Sequence, residues 1–274
     1  MTRTVAYCVY SEAGGVGKST LAANLAKAHS LDGEDVLLID LDPQEGSLSY
    51  LLGVERPSGE ADNIVRHLVG RPKGDFSDLI TDADGMDIIP STPMLSDLLG
   101  YMFRAAENND DFDRNSRLHQ LLVENEIADQ YSVIVIDPPA TASTHLYNAI
   151  VATRSLVLPI ELSGKGQKSV EGLSSIVADM QEKLEISIGV PAVVPNNVKH
   201  TTDQEAYRQR IEDAGYPAPV VIDDRTSLMQ GCWDKQCTAF TFVEQHRSRK
   251  RDYEEETLRE IEELAEHIET KVRG

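Results

Sequence analysis

The chain has 274 residues, with 46 Asp plus Glu against 26 Lys plus Arg, a formal net charge of −20 and 41% apolar residues. That apolar share suits a globular core, and no apolar run approaches the ~18 residues that a membrane span requires. So large an acidic excess keeps a protein hydrated and soluble but makes it repel itself at low salt.

The opening run TVAYCVY is too short for a secretory signal, and no small-residue cleavage site follows it, so a cytoplasmic protein is expected. Three cysteines, Cys8, Cys232 and Cys237, show no C-x-x-C spacing. They read as buried free thiols of a reducing compartment.

In chain order, residues 4–9 form a short β-prone run that stops at a glycine-rich loop. Leu21, Ala22, Leu25, Ala26 and Ala28 then supply a helical stripe over residues 18–30, and Gly33 lies in the turn that follows. Val36, Leu37, Leu38 and Ile39 make a continuous apolar run ending at Asp40, the pattern of a parallel strand buried on both faces. Residues 86–89 predict a strand, and helical segments follow between about 94 and 128. The clearest strand is residues 131–137. Another apolar run at 155–159 precedes a helix over about 167–184, a strand over 186–194, a helix over 202–214 and a last short strand at 220–222. Residues 244–271 are nearly all charged or helix-favouring, with Leu258, Ile261, Leu264, Ala265, Ile268 and Val272 at helical spacing. Strand and helix alternate without a composition break. The expected architecture is therefore one α/β domain over residues 1–274, a P-loop NTPase fold with a mostly parallel twisted sheet flanked by helices. A long C-terminal helix over about 240–272 closes it.

The stretch SEAGGVGKST, residues 11–20, falls between the first strand and the first helix. Such a loop presents several backbone N–H groups to an anion. Gly14, Gly15 and Gly17 let the backbone approach phosphates, with Val16 between them. Lys18 would reach the outer phosphates, Ser19 would ligate Mg²⁺, and Thr20 completes the motif. Asp40 and Asp42, in LLIDLDPQ, lie at the carboxyl end of the next strand, where open α/β sheets bind ligands. Asp137, in VIVIDPPA, ends the longest apolar run and fits a Walker B acid.

GGVGKST, LLIDLDPQ and VIVIDPP together resemble the ParA/MinD family of deviant-Walker ATPases, in its ParA branch, over most of the chain to about residue 250. The resemblance implies ATP and Mg²⁺ as cofactors and slow ATP hydrolysis to ADP and phosphate. It makes Lys18 the P-loop lysine, Ser19 a magnesium ligand, Asp42 the switch residue that orients the attacking water, and Asp137 the Walker B aspartate. Asn196 or Asn197, in VVPNNV, corresponds to the adenine contact. It also implies an ATP-dependent homodimer that binds DNA without sequence preference. A ParB-like or adaptor protein would stimulate hydrolysis, so as to segregate or position a plasmid, a chromosome region or a protein cargo. The protein would be cytoplasmic, and nucleoid-associated when ATP-bound. The acidic composition points to a haloarchaeal source, where multimolar salt shortens the Debye length to roughly 3 Å or less.

One position departs from the family. Its signature lysine, which reaches the partner's phosphates across the dimer, is replaced by Ala13, beside the acidic Glu12. Lys165 and Lys168, in ELSGKGQKSVEGL, follow a strand end and are the candidates to supply that charge. The relatives that space carboxysomes also lack the lysine. An ATP-locked scaffold with negligible hydrolysis is the alternative that the loss leaves open.

Arg247, Arg249, Lys250 and Arg251 pack four bases into five residues and are the candidate DNA contacts, of the phosphate kind that carries affinity but no base readout. Pairing with Glu244, Asp252, Glu254 and Glu255 is the competing reading. A MinD-like membrane-associated regulator is less consistent with the tail. Its polar face is acidic, which anionic lipid repels, so no stable membrane association is expected and the apolar stripe should pack on its own domain.

Overall fold

A computed structural model describes residues 4–107, 109–161, 166–199 and 209–274, with 166–171 and 173 described by backbone alone. Its centre is a seven-stranded sheet of β1 (Val5–Val9), β2 (Val36–Asp40), β3 (Thr81–Ala83), β4 (Met86–Ile89), β5 (Val133–Asp137), β6 (Ser155–Glu161) and β7 (Gly189–Asn196). The strand order is β3-β4-β2-β5-β1-β6-β7. All pairs are parallel except β3–β4 at the edge.

The sheet is covered on both faces, which is why its inner strands read as unbroken apolar runs. Successive side chains of a strand point to opposite faces. Val5, Tyr7 and Val9 of β1 accordingly enter one core, with Leu21 and Leu25 of α1 (Lys18–Leu31). Cys8 enters the other, with Leu37, Ile39, Ile134 and Ile136. That second core is roofed by α2 (Leu98–Ala106), α3 (Arg117–Glu124), α4 (Thr144–Thr153) and α5 (Gly166–Leu184). The first is closed by α6 (Thr226–Lys235) and α7 (Asp252–Arg273). All three cysteines are buried and free, and burial pushes the Cys8 and Cys232 thiols up to about 12.

The apolar stripe of α7 packs on its own domain, as expected: Ile261, Leu264, Ala265 and Ile268 are buried against α1 and the sheet. Beneath it lies a polar stitch. Buried His29 of α1 gives Nδ1–H to Glu269 Oε1 at 2.8 Å, while its Nε2 meets the Tyr7 hydroxyl at 3.0 Å. Arg273 then bridges Glu269 at 3.0 Å and Glu34 at 2.9 Å.

Two elements were not expected and two expectations are revised. The edge strand β3 was not foreseen, because TDA has no apolar alternation to mark it. Residues 220–222 join no ladder; they run beside β7 through Ile222 N–H to Pro195 O at 2.8 Å and Val198 N–H to Ile222 O at 3.2 Å. Helix α6 was not expected, since Gly231 in its middle weakens the helical signal. That glycine is needed there, because a Cβ would lie 2.2 Å from the Phe242 ring. Finally, the last helix begins at Asp252 rather than near 240 or 244, after a loop containing 247–251. Asp252, Glu254 and Glu255 in its first turn suit a helix N-terminus, whereas the preceding run of bases does not. The predicted helix over 202–214 lies mostly outside the described residues; 209–213 are helical.

Candidate nucleotide site

The glycine-rich loop leaves β1 and turns directly into α1. Gly15 and Gly17 have φ of 83° and 86°, a left-handed conformation that side chains disfavour. Gly17 is the N-cap of α1, no side chain caps the helix, and its first turn holds no acid. The backbone N–H groups there are thus left for an anion, with the positive end of the helix dipole behind them. Glu12, Ala13, Gly14 and Gly15 are exposed and Val16 is buried. The geometry agrees with a phosphate-cradling loop.

Sheet topology brings the acids together. β5 lies between β1 and β2, and Asp40 pairs in register with Asp137. The Lys18 ammonium lies 2.5 Å from Asp137 Oδ1 and 3.8 Å from Asp42 Oδ2. Burial raises the Asp137 pKa, and Lys18 and the Ser19 hydroxyl oppose it. Its other oxygen, Oδ2, is buried without a hydrogen-bond partner. A buried, unsatisfied carboxylate oxygen costs free energy, and a hard cation or its water shell would relieve that cost. Asp137, with the Ser19 hydroxyl beside it, therefore fits Mg²⁺, and Asp42 lies close by across the Lys18 ammonium. Among the described residues no group of three or more His, Cys, Asp or Glu could hold a metal ion.

Asp40 has a different task from the one its motif position suggests. It is fully buried, its Oδ1 accepts the Asp42 N–H at 3.0 Å, and its Oδ2 accepts Ser47 Oγ–H, Ser49 N–H and Ser49 Oγ–H at 2.6–2.8 Å. Ser49 Oγ in turn accepts the Ser91 N–H, and the Ser91 hydroxyl donates to the Asp42 carbonyl. The ring of bonds holds the loop that carries Asp42. Burial, and the charge of Asp137 beside it, push the Asp40 carboxyl up to about 6. Ser47, Ser49 and Ser91 were not singled out in the sequence; the S-x-S spacing after D-x-D-P-Q was the available signal.

Beside the loop is a cavity of about 450 Å³, lined by Gly15, Thr20, Asn196, Asn197, Met229 and Trp233 among others. Asn196 and Asn197 both border it. Asn196, however, gives its side-chain N–H to the Val16 carbonyl at 2.7 Å, while Asn197 donates to Glu161 at 3.2 Å. Thr20 accepts the Trp233 indole N–H at 3.1 Å. Sequence reading missed Met229, Gln230 and Trp233, because α6 itself was not legible.

Lys165 falls outside the described residues, and Lys168 is described by backbone alone in the first turn of α5. The basic cluster divides: Arg249 and Lys250 are exposed, but Arg247 turns inward to fully buried Glu254 at 2.5 Å and lies over the Phe242 ring. Arg251 donates to the Tyr253 hydroxyl at 2.6 Å.

The domain family described as "AAA domain" matches residues 4–190. The chromosome-partitioning ATPase Soj of Thermus thermophilus is 31% identical over 173 residues, or 63% of this chain; the match spans 59% of Soj, under two-thirds of its length. Two solved structures share the fold. An ATP complex of McdA from Cyanothece superposes with a TM-score of 0.73 at 18% identity, covering 99% of this chain and 97% of McdA. The septum site-determining protein MinD of Pyrococcus horikoshii, complexed with Mg-ADP, gives 0.69 at 19% identity, covering 96% and 95%.

Proposed function

This chain belongs to the AAA domain family, with ParA/MinD-type ATPases as its relatives, and from that premise we propose that it binds ATP with Mg²⁺ and hydrolyses it slowly. The observation that carries the proposal is the convergence of Lys18, Asp42 and Asp137 at the uncapped start of α1. The nucleotide-bound relatives of the same fold support it. Lys18 would transfer from Asp137 to the outer phosphates, neutralising charge that builds on them. The loop N–H groups would orient the chain of phosphates, and Ser19 with Asp137 would hold the ion, which supplies further charge neutralisation. Asp42, fixed by the Asp40 ring, would position the attacking water. Phosphoryl transfer asks the protein mainly for such positioning and electrostatics.

The wider reading is a positioning ATPase. It forms a homodimer on ATP, binds DNA non-specifically through Arg249 and Lys250, acts at the nucleoid, and is released when a ParB-like or adaptor protein stimulates hydrolysis. The partition role of Soj supports this, and the net charge of −20 supports a saline, haloarchaeal setting. Lys165 or Lys168 supplies the intersubunit charge that Ala13 lacks. An ATP-locked scaffold is the second reading, favoured by the exposed Ala13 methyl where a lysine would stand.

Turnover and oligomeric state with ATP and Mg²⁺ test these ideas. Unaltered protein should hydrolyse ATP and dimerise, and K165A/K168A should weaken the dimer. Binding and dimerisation without turnover, even with DNA and a cognate partner, would favour the scaffold. No ATP binding would overturn both readings.

A further inference from the structure

We propose that Trp233 and Tyr50 form a positioning link between the base end of the nucleotide cavity and the loop that carries Asp42. The inference rests on the nucleotide reading of the site. Helix α6 touches three things at once. Met229, Gln230 and Trp233 line the 450 Å³ cavity. The Trp233 indole N–H donates to the Thr20 hydroxyl, two residues beyond Lys18. The Trp233 ring stacks on Tyr50, with centroids 6.1 Å apart and an interplanar angle of 23°. The end of α6 adds a second grip, where Gln236 Nε2 donates to the Tyr50 carbonyl at 3.0 Å.

Tyr50 is not a bystander in sequence. It sits in the short helix Leu48–Leu51, immediately after Ser49, whose N–H and hydroxyl both bind Asp40. Asp40 also accepts the Asp42 N–H. A continuous path therefore runs from cavity wall through Trp233, Tyr50, Ser49 and Asp40 to Asp42. Tyr50 is half exposed and does not line the cavity, so burial does not explain the stack. A base entering the cavity would press on Trp233, and Tyr50 would pass the displacement to the short helix. Because the path ends on the water-positioning residue, it governs turnover rather than binding.

The test is Tyr50→Ala with Tyr50→Phe as its control. Trp233 is the only tryptophan in the chain, so its emission reads the cavity directly. Tyr50→Ala should hold ATP·Mg²⁺ affinity within about twofold and lower kcat roughly three- to tenfold, the scale of an aromatic pair, while Tyr50→Phe restores it. ATP should shift the emission of the unaltered protein, and inorganic tripolyphosphate, which has no base, should not. A merely structural role would lower the Tm while leaving turnover per folded molecule unchanged. That result, or an equal emission response to both ligands, overturns the link alone. Failure of the unaltered protein to bind ATP removes the nucleotide site and the link together.

Discussion

Asn196 at the end of β7 gives its side-chain amide to the Val16 carbonyl at 2.7 Å, tying the far side of the sheet to the phosphate loop. The same nitrogen would lie 2.6 Å from a Cβ placed on Gly17, whose φ is already 86°. Gly17→Ala should therefore cost ~1–3 kcal/mol, from left-handed strain and the displaced amide. Gly14 has nothing within 4 Å of a built Cβ and no positive φ. Melting curves should show a Tm several degrees lower for Gly17→Ala and little change for Gly14→Ala.

Asp42 and Asp40 should separate by activity and by stability. If Asp42 orients the attacking water, Asp42→Ala, which leaves the loop N–H groups untouched, should keep ATP binding while turnover falls about 10²-fold or more. Asp40→Asn leaves fewer acceptor lone pairs for the Ser47 and Ser49 donors. Its loop should loosen, lowering both Tm and turnover. Calorimetric binding with phosphate release on the same samples makes the comparison.

Acid titration carries a signed expectation. Burial and the nearby Asp223 and Glu256 push Glu260 from 4.5 up to about 7, and Asp40 rises from 3.8 to about 6. Both folded values lie above the unfolded ones, so the native state binds more protons across these windows. Their stabilising contribution is complete below the unfolded values and is lost as pH rises through the folded ones. Glu260→Gln should remove the upper part of that loss. Its Tm should exceed that of the unaltered protein at about pH 8 and match it near about pH 4. Equal melting of the two proteins at both pH values would contradict this.

The basic loop should split into two phenotypes. Arg247 pairs with fully buried Glu254, so Arg247→Ala leaves that carboxylate only the longer 3.9 Å contact to Arg251 and should cost up to ~3 kcal/mol of stability. Arg249→Ala/Lys250→Ala should leave the Tm unchanged. If both side chains meet phosphates, the double variant should reduce the log–log salt slope of DNA binding by about 1.8, at ~0.9 per contact. Filter binding over a salt series reads this out.

What the sequence made legible follows from which signals are local. Val36–Asp40 and Val133–Asp137 announced themselves because strands buried on both faces carry apolar residues at every position. Lys18, Asp42 and Asp137 were readable because the loop and strand-end acids need those residue types in that order. The Asp40 ring was not, since Ser91 joins it from 42 residues beyond Ser49, a distance only the folded sheet closes. Trp233 was hidden for a similar reason. Its helix carries Gly231 in mid-run, which weakens the helical signal, and the purpose of that glycine is visible only when the Phe242 ring lies against it. Arg247 read as one of four equivalent bases, and only the fold shows that it turns inward to Glu254 and the Phe242 ring.

The stitch from His29 to Glu269 spans 240 residues and has a consequence in time. At ~5–20 residues per second, the ribosome delivers Glu269 roughly 10–50 s after His29. Through that interval the inner face of α1 has its imidazole and apolar side chains waiting for α7. The helix that carries Lys18 is thus made well before the helix that covers it. A nascent chain stalled before residue 252 would hold every phosphate-site residue yet lack the buttress behind them.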